Sequence, residues 1–169
     1  MDLPESFDTL VEQAAPQLLA YAYRRCRQPA DADDAVAEPL LIAWRRRADL
    51  PRGSQQIPWL FGICWRVIRG QQRSSARYAR LVARLRGVHR IVAGPTVSRS
   101  DQVLQALDAL GSADRELLRL VAWEGLTPSQ LAVVLAITPN TAAVRLHRAR
   151  SRYREELRRL RGNARDGER

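Results

Sequence analysis

The stretch from Leu126 to Arg150 has the sequence LTPSQLAVVLAITPNTAAVRLHRAR, and it predicts two short helices joined by a tight turn. A Thr-Pro pair opens each helix, because a threonine hydroxyl can cap the first amides and proline needs no amide partner at the first helical position. The two pairs are Thr127-Pro128 and Thr138-Pro139, and Ala136-Ile137 forms the corner between the helices. The stretch therefore predicts a helix–turn–helix.

The second of these helices has an apolar face and an outward face. Its inward positions recur at spacings of four, three and four, which is typical of one helical face, and they are Ala142, Leu146, Ala149 and Tyr153. The outward positions are small, polar or basic, and they are Asn140, Ala143, Val144, His147 and Arg148, flanked by Arg145 and Arg150. Such a face suits the major groove of DNA. A solvated arginine face on an ordinary helical hairpin is the competing interpretation.

Charge is distributed unevenly along the chain. The chain has 169 residues, of which 46% are hydrophobic, so one domain or two small ones are possible. The formal net charge is +10, and all 28 basic residues are arginines. The formal net charge is −5 for residues 1–44, +11 for 45–90, −2 for 91–126 and +6 for 127–169. Two separate basic blocks predict two separate contacts with a polyanion.

Several function classes lack their usual signals in this sequence. The N-terminus has neither the basic start nor the apolar core of a signal peptide, and no long apolar span predicts membrane insertion. Cys26 and Cys64 are isolated, and they predict buried, reduced thiols rather than metal ligands. Because no nucleophile motif, phosphate loop or metal-ligand spacing occurs, we predict no catalytic residues, no cofactor and no metal.

Helical spacing predicts two helices in the first acidic block. The first should span residues 6–27, and Gln28-Pro29 should break it. The second should open at Asp31. Its inward stripe should contain Val36, Leu40, Ala43 and Trp44. Because proline removes a backbone hydrogen bond and clashes with the preceding turn, Pro39 predicts a kink or break near residue 38.

A loop from Asp49 to Pro58 should lead into a third helix that runs to about residue 86. One face of that helix is basic, with arginines at three- and four-residue intervals, namely Arg66, Arg69, Arg73, Arg77, Arg80 and Arg84. Like charges at this spacing repel each other in a free helix, and a polyanion would relieve the repulsion. Trp65 lies beside the stripe, where we expect its ring to stack on a base. A solvated basic face is again the alternative.

The rest of the chain predicts a linker, two helices and a tail. Residues 87–100 are rich in glycine, proline and small polar side chains and predict the linker. Two helices should follow from Asp101, ended by Gly111 and Gly125. Residues 162–169 should form a frayed tail. Since no segment alternates as a strand would, the predicted fold class is all-α, with two small helical domains joined by a linker and a helix–turn–helix in the C-terminal one.

Four stretches in this order resemble a known family. They are Ala32-Asp-Asp34 with Glu38 and Ala43-Trp44, then Trp59-Leu-Phe-Gly-Ile63, Leu107-Asp-Ala-Leu110, and Arg145-Leu-His-Arg-Ala-Arg150. With them, the chain resembles the extracytoplasmic-function (ECF, group IV) sigma factors of bacterial RNA polymerase over about residues 6–160. The resemblance implies a bacterial, cytoplasmic sigma factor that is not an enzyme and that directs transcription initiation at specific promoters.

The resemblance also implies a division of labour along the chain. Residues 6–86 would be sigma region 2, which binds core polymerase and the −10 promoter element. Residues 87–100 would be the linker. Residues 101–161 would be region 4, which binds the −35 element through the helix–turn–helix. Residues 162–169 would be a flexible tail.

The same resemblance assigns site residues. The β′ clamp helices of core polymerase would bind Asp34, Glu38, Leu41 and Trp44. The −10 element would contact Gln56, Trp59, Trp65, Arg66, Arg69 and Arg73. The −35 element would contact Thr138, Asn140, Thr141, Ala143, Val144, His147 and Arg148. The β flap of the polymerase and an anti-sigma factor are further partners that the family implies.

Some positions depart from the family pattern. Pro39 stands in the core-binding helix, and Arg66 and Gly70 replace the usual Asn and Asp. Ala143 replaces a basic residue, which predicts more reliance on DNA shape and phosphate contacts. Two other functions stay open: a helix–turn–helix regulator that uses only residues 101–161 and does not bind core polymerase, and a scaffold or binder of anionic membranes. The basic stripe argues against the first, and the lack of long apolar segments argues against the second.

Overall fold

The computed structural model describes the backbone of residues 3–26, 28–86 and 99–166, and side chains within 7–26, 28–78 and 102–162. These residues are mainly helical, with no strand among them, which confirms the all-α prediction. The helices are α1 (Leu3–Tyr23), α2 (Pro29–Arg45), α3 (Gln56–Arg86), α4 (Arg99–Ala109), α5 (Ser112–Ala122), α6 (Pro128–Leu135) and α7 (Pro139–Asp166). The contacts form two compact units, one built on α1 to α3 and the other largely on α4 to α7. None of the described helices combines the length and apolar content needed to cross a membrane.

The first unit is a bundle of three helices, each of which packs on the other two. One side of α3 is fully buried at Leu60, Phe61 and Cys64. Tyr21 of α1 packs on Phe61 with the ring centroids 4.9 Å apart. Because each fully buried large apolar side chain contributes about 1.5–3 kcal/mol, this side of α3 contributes much of the stability of the unit.

The first helix ends earlier than the sequence predicts. The expected range was 6–27, but α1 spans Leu3–Tyr23. The chain then turns, and the amide of Arg25 bonds to the carbonyl of Ala22, three residues back, at 2.9 Å. Pro29 does not end the first helix, because it lies in the first turn of α2, where its missing N–H is tolerated.

α2 continues through Pro39, so the predicted break near residue 38 does not occur. The proline is fully buried. Its missing N–H removes the helical partner of the Ala35 carbonyl, and leaving a buried carbonyl without a partner costs about 1–3 kcal/mol. The thiol of Cys64 on α3 donates to that carbonyl, with 3.1 Å between Sγ and the oxygen. A neighbouring helix therefore supplies the hydrogen bond that proline cannot.

α1 and α2 are joined near both ends of α2. Trp44 packs edge-on against Phe7 with centroids 5.2 Å apart, but 49% of its surface is exposed, so its predicted place in the inward stripe is wrong. The buried positions of α2 are Ala32, Ala35, Val36, Pro39 and Ala43. At the other end, the Tyr23 hydroxyl donates to Asp33 Oδ1 at 3.1 Å. This hydrogen bond is the main cause that raises the pKa of Tyr23 above its ordinary value.

The connection from α2 to α3 covers residues 46–55, so it begins and ends three residues before the predicted loop from Asp49 to Pro58. Two short 3-10 turns, Arg47–Asp49 and Gly53–Gln55, occupy it. α3 begins at Gln56, so Pro58 falls in its first turn, where proline removes no helical hydrogen bond. The helix then runs to Arg86, as predicted.

In the second unit, α4 and α5 pack against α7. α5 buries Leu117 and Leu120, whereas Leu118 and Val121 are only half-buried. Gly125 follows α5 with a φ of +66°, a conformation that favours glycine at a helix C-terminus.

The outer limits of this unit differ from the prediction. α4 begins at Arg99, two residues before Asp101. α7 continues through Asp166, so 162–166 of the predicted tail are helical. The linker positions 87–98 and the last three residues lie outside the described residues.

The two thiols should react in a fixed order. Cys64 is fully buried and Cys26 is half-buried. Burial is the main cause that raises the pKa of Cys26, with a further rise from Asp31 and a partial opposition from Arg25. We expect a thiol reagent to label Cys26 slowly in the native chain, faster as the pH rises and more thiolate forms, and to label Cys64 only in denaturant. Mass spectrometry of the labelled peptides checks this, and native labelling of Cys64 ahead of Cys26 would contradict the packing described.

Candidate functional site

α6 and α7 form the predicted helix–turn–helix, and side-chain caps define both starts. Thr127 Oγ1 accepts a hydrogen bond from the amide of Gln130 at 3.3 Å, and Gln130 Oε1 accepts one from the amide of Thr127 at 2.9 Å. This reciprocal pair is a capping box. At the start of α7, Thr138 Oγ1 accepts the amide hydrogen of Thr141 at 3.2 Å. Ala136 makes the corner with a φ of +53°, in the left-handed region.

The outward face of α7 carries most of the residues predicted to read DNA. The exposed ones are Thr138, Asn140, Ala143, Val144, His147 and Arg148. Thr141 is half-buried, and its hydroxyl lies 2.8 Å from that of Thr138, so both hydroxyls already take part in the helix cap. The opposite side buries Ala142, Leu146 and Ala149, as the spacing predicts. The long polar side chains of this face are therefore Asn140, His147 and Arg148.

Three arginines around this face are not neutralised within the described chain. Arg145, Arg148 and Arg150 are exposed, and none forms an ion pair with a described residue. Arg152, further along α7, is paired with Asp114. The unpaired arginines lie in the N-terminal half of α7, beyond the first turn, whose free amides and helix dipole also favour anions. This end of α7 can therefore attract phosphates.

The basic stripe of α3 also lacks acidic partners among the described residues. Arg66, Arg73 and Arg77 are exposed, and Arg69 is half-buried. Two of them fold back on the preceding turn through Nε: Arg66 bonds to the carbonyl of Gly62 at 3.1 Å, and Arg73 to that of Arg69 at 3.2 Å. Those bonds leave the terminal guanidinium nitrogens for a partner outside the chain. The predicted continuation at residues 80 and 84 lies outside the described side chains.

Trp65 is engaged by its own helix. The Cζ atom of Arg69 lies 5.3 Å from the centroid of the Trp65 ring, a cation–π contact, and the indole is half-buried. The ring therefore contacts the guanidinium of one arginine of the stripe. Stacking of a base on Trp65 stays a prediction. A base could stack only on the part of the Trp65 ring that Arg69 does not cover.

The start of α3 positions the remaining residues predicted to contact the −10 element. Gln56 and Trp59 are both half-buried. The sequence did not single out Gln55, whose Oε1 atom is enclosed and has no hydrogen-bond partner among the described residues. A turn glutamine among several glutamines carries no pattern that would have marked it.

The outward face of α2 combines acidic and apolar side chains. Asp34 and Glu38 are exposed, and Leu41 follows one turn later with 48% of its surface exposed. Trp44 lies to one side of them. Arg47, which no sequence pattern marks, places its Cζ 4.7 Å from the Trp44 ring centroid, and its Nη1–H donates to the Trp44 carbonyl at 3.2 Å. Aromatic side chains are enriched at protein–protein interfaces, so the exposed Trp44 with Leu41 near it makes this face a candidate for binding another protein.

Family models match both units. The model of sigma-70 region 2 matches residues 10–78. The model of sigma-70 region 4 matches residues 100–152, which include the helix–turn–helix. A regulator that uses only residues 101–161 would have no need of a sigma region 2. Because the region 2 model matches residues 10–78, that alternative is not favoured.

Comparison with individual proteins gives the same family as these matches. The chain is 32% identical over 152 residues to the ECF RNA polymerase sigma factor SigL of Mycobacterium tuberculosis, covering 83% of this chain and 82% of SigL. It is 29% identical to the probable RNA polymerase sigma factor RfaY of Xanthomonas campestris pv. campestris, covering 90% of this chain but spanning only 40% of the length of RfaY. Its fold is similar to that of RpoE in the co-crystal structure with the anti-sigma factor NepR from Bartonella quintana, with a TM-score of 0.63 and 24% identity over 91% of this chain and 98% of RpoE.

Replacing Arg148 by alanine should weaken duplex DNA binding by the full-length chain through the loss of a phosphate contact. Each phosphate contact contributes about 0.9 to the slope of log K against log salt concentration, so the slope should become shallower by roughly that amount. Fluorescence anisotropy across a salt series measures it. Arg158→Ala is the matched control, because Arg158 is also exposed but lies further along α7. An unchanged slope for Arg148→Ala would show that Arg148 does not contact the DNA backbone.

Proposed function

Because the chain belongs to the family of ECF RNA polymerase sigma factors, which direct promoter-specific transcription, we propose that it binds core polymerase and brings it to promoters. The observation that carries the proposal is the exposed face of α2, where Leu41 and Trp44 lie beside Asp34 and Glu38. A DNA-binding regulator that acts without polymerase has no need of such a face.

We assign this face of α2 to the β′ clamp helices of the polymerase. A partner helix with apolar side chains opposite Leu41 and basic ones opposite Asp34 and Glu38 would complement this face. The β flap would contact the second unit. These partners rest on the family and on the chemistry of the exposed residues.

We assign the two unneutralised arginine surfaces to promoter DNA. The stripe at Arg66, Arg69 and Arg73, with Gln56, Trp59 and Trp65 at the start of α3, would hold the −10 element as single-stranded DNA. The outward face of α7 would enter the major groove of the −35 element, with Asn140 and His147 at base edges and Arg148 at the backbone. Ala143 and Val144 can contribute only apolar contacts and close approach, so much of the recognition would come from DNA shape.

Two weak DNA contacts on one chain become effective when the chain is bound to polymerase. Once one element is bound, the other is presented at a high effective concentration, and the combined affinity exceeds that of either contact. The chain alone should therefore bind promoter DNA poorly, and the complex with core polymerase should bind it well.

An anti-sigma factor is a further proposed partner. The RpoE structure with a similar fold is a complex with such an inhibitor. In this chain, the exposed apolar side chains of α2 are a surface that an inhibitor could cover in competition with polymerase. Competition of this kind requires only overlapping surfaces and no conformational change.

Reversing the charge of Glu38 should weaken the complex with core polymerase. We expect Glu38→Arg to raise the Kd at least roughly tenfold, because like charges would then meet across the interface. Glu12→Arg makes the same charge change at an exposed position of α1 and should leave the Kd unchanged. Titration of core polymerase into a fluorescently labelled chain measures both.

Three outcomes of this titration differ in meaning. Selective weakening by Glu38→Arg supports the assignment of α2. Equal effects of the two variants would place the contact elsewhere. A wild-type chain that forms a stable homodimer on DNA and does not bind core polymerase would contradict the proposed function itself.

A further inference from the structure

On the buried side of α2, one backbone hydrogen bond of the helix is not formed. In an α-helix the amide of each residue donates to the carbonyl four residues earlier, and Pro39 has no amide hydrogen to give to Ala35. Both residues are buried, so water cannot take the place of the amide. The proline ring also crowds the carbonyl of Ala35, which tends to bend a helix at this point.

The atom that replaces the amide comes from another helix. Cys64 lies on α3 and is fully buried, and its Sγ atom is 3.1 Å from the carbonyl oxygen of Ala35. A thiol is a weak hydrogen-bond donor with a small, largely apolar side chain. It can therefore satisfy a carbonyl in a packed interior without introducing a second polar group that needs its own partner.

The site of this replacement divides the proposed polymerase-binding face. Asp34 and Glu38 precede Pro39 on α2, and Leu41 and Trp44 follow it. A bend at the proline would change the angle between these two pairs, although all four side chains would stay on the surface. A contact that restrains the bend of α2 at Pro39 therefore also determines the shape of the face that a partner would bind.

We propose that Cys64 is a positioning residue for core polymerase binding: its thiol replaces the Pro39 amide and holds the two halves of α2 in one binding surface. This inference rests on the proposed function of the α2 face. Cys64 is fully buried and so lies out of reach of polymerase, and it acts on binding only through the shape of α2. Pro39 and Cys64 should therefore be energetically coupled, and the requirement for the thiol should disappear when the amide is restored.

A double-mutant cycle tests the coupling in the full-length chain. The variants are Cys64→Ala, which removes the donor, Pro39→Ala, which restores the amide, and the combination of both. The Kd for core polymerase and the midpoint of denaturation are measured for each. The cavity left by Cys64→Ala is present in both backgrounds, so the cycle removes its contribution from the comparison.

The expected result is a background-dependent loss of affinity. With Pro39 present, Cys64→Ala should weaken core binding by more than about twofold and by at most about fivefold, because the loss of one hydrogen bond can shift α2 of the free chain towards bent forms by no more than that factor. In the Pro39→Ala background, the same change should alter the Kd by less than about twofold, within the usual error of additivity. Cys64→Ser keeps a donor at the same position and should retain most of the wild-type affinity.

Other results would overturn the inference in separate ways. Equal losses in both backgrounds, or a Cys64→Ser variant as weak as Cys64→Ala, would mean that the thiol does not act as a donor to Ala35. If Cys64→Ala does not fold, the double variant decides: folding and binding with near wild-type affinity support the coupling, and failure to do so contradicts it. Absence of core binding by the wild-type chain would overturn the proposed function, whereas wild-type binding without coupling would overturn only the role of Cys64.

Discussion

The packing of α3 is the constraint on which the first unit depends. One side of this helix is fully buried at Leu60, Phe61 and Cys64, and its other side carries arginines. Because the buried side orients the helix, it also determines where the arginines point. The same buried side supplies the thiol that satisfies the carbonyl of Ala35. Core packing, the basic stripe and the continuity of α2 therefore have a common origin.

Electrostatics explains why such a chain needs partners. The arginines of α3 and of the N-terminal end of α7 have no acidic partners among the described residues, so within each helix the like charges repel. Phosphate groups remove this repulsion and release counterions, which makes binding strong at low salt and weak at high salt. The acidic and apolar face of α2 has a different chemistry, and it suits a protein instead of DNA. The surfaces of the chain thus differ in the class of partner that they can bind.

The sequence predicted those elements whose signals are local. The caps at Thr127 and Thr138 and the inward spacing of α7 depend on residues within one or two turns, and the structure contains them. The end of α1, the continuity at Pro39 and the exposure of Trp44 depend on contacts between helices, which composition and periodicity do not encode. The thiol of Cys64 lies 29 positions after Ala35, and no spacing rule connects them. The −10, −35 and polymerase contacts remain proposals about exposed and half-buried residues.

The most direct measurement is transcription from a library of random DNA templates by core polymerase with and without the chain, followed by sequencing of the transcript starts. We predict starts that appear only with the chain and that share two upstream elements at a constant spacing. Reversing the exposed charge at Glu38 should reduce all of these starts together, because it would act on polymerase binding. Identical start profiles with and without the chain would contradict the central claim that this protein gives core polymerase its promoter specificity.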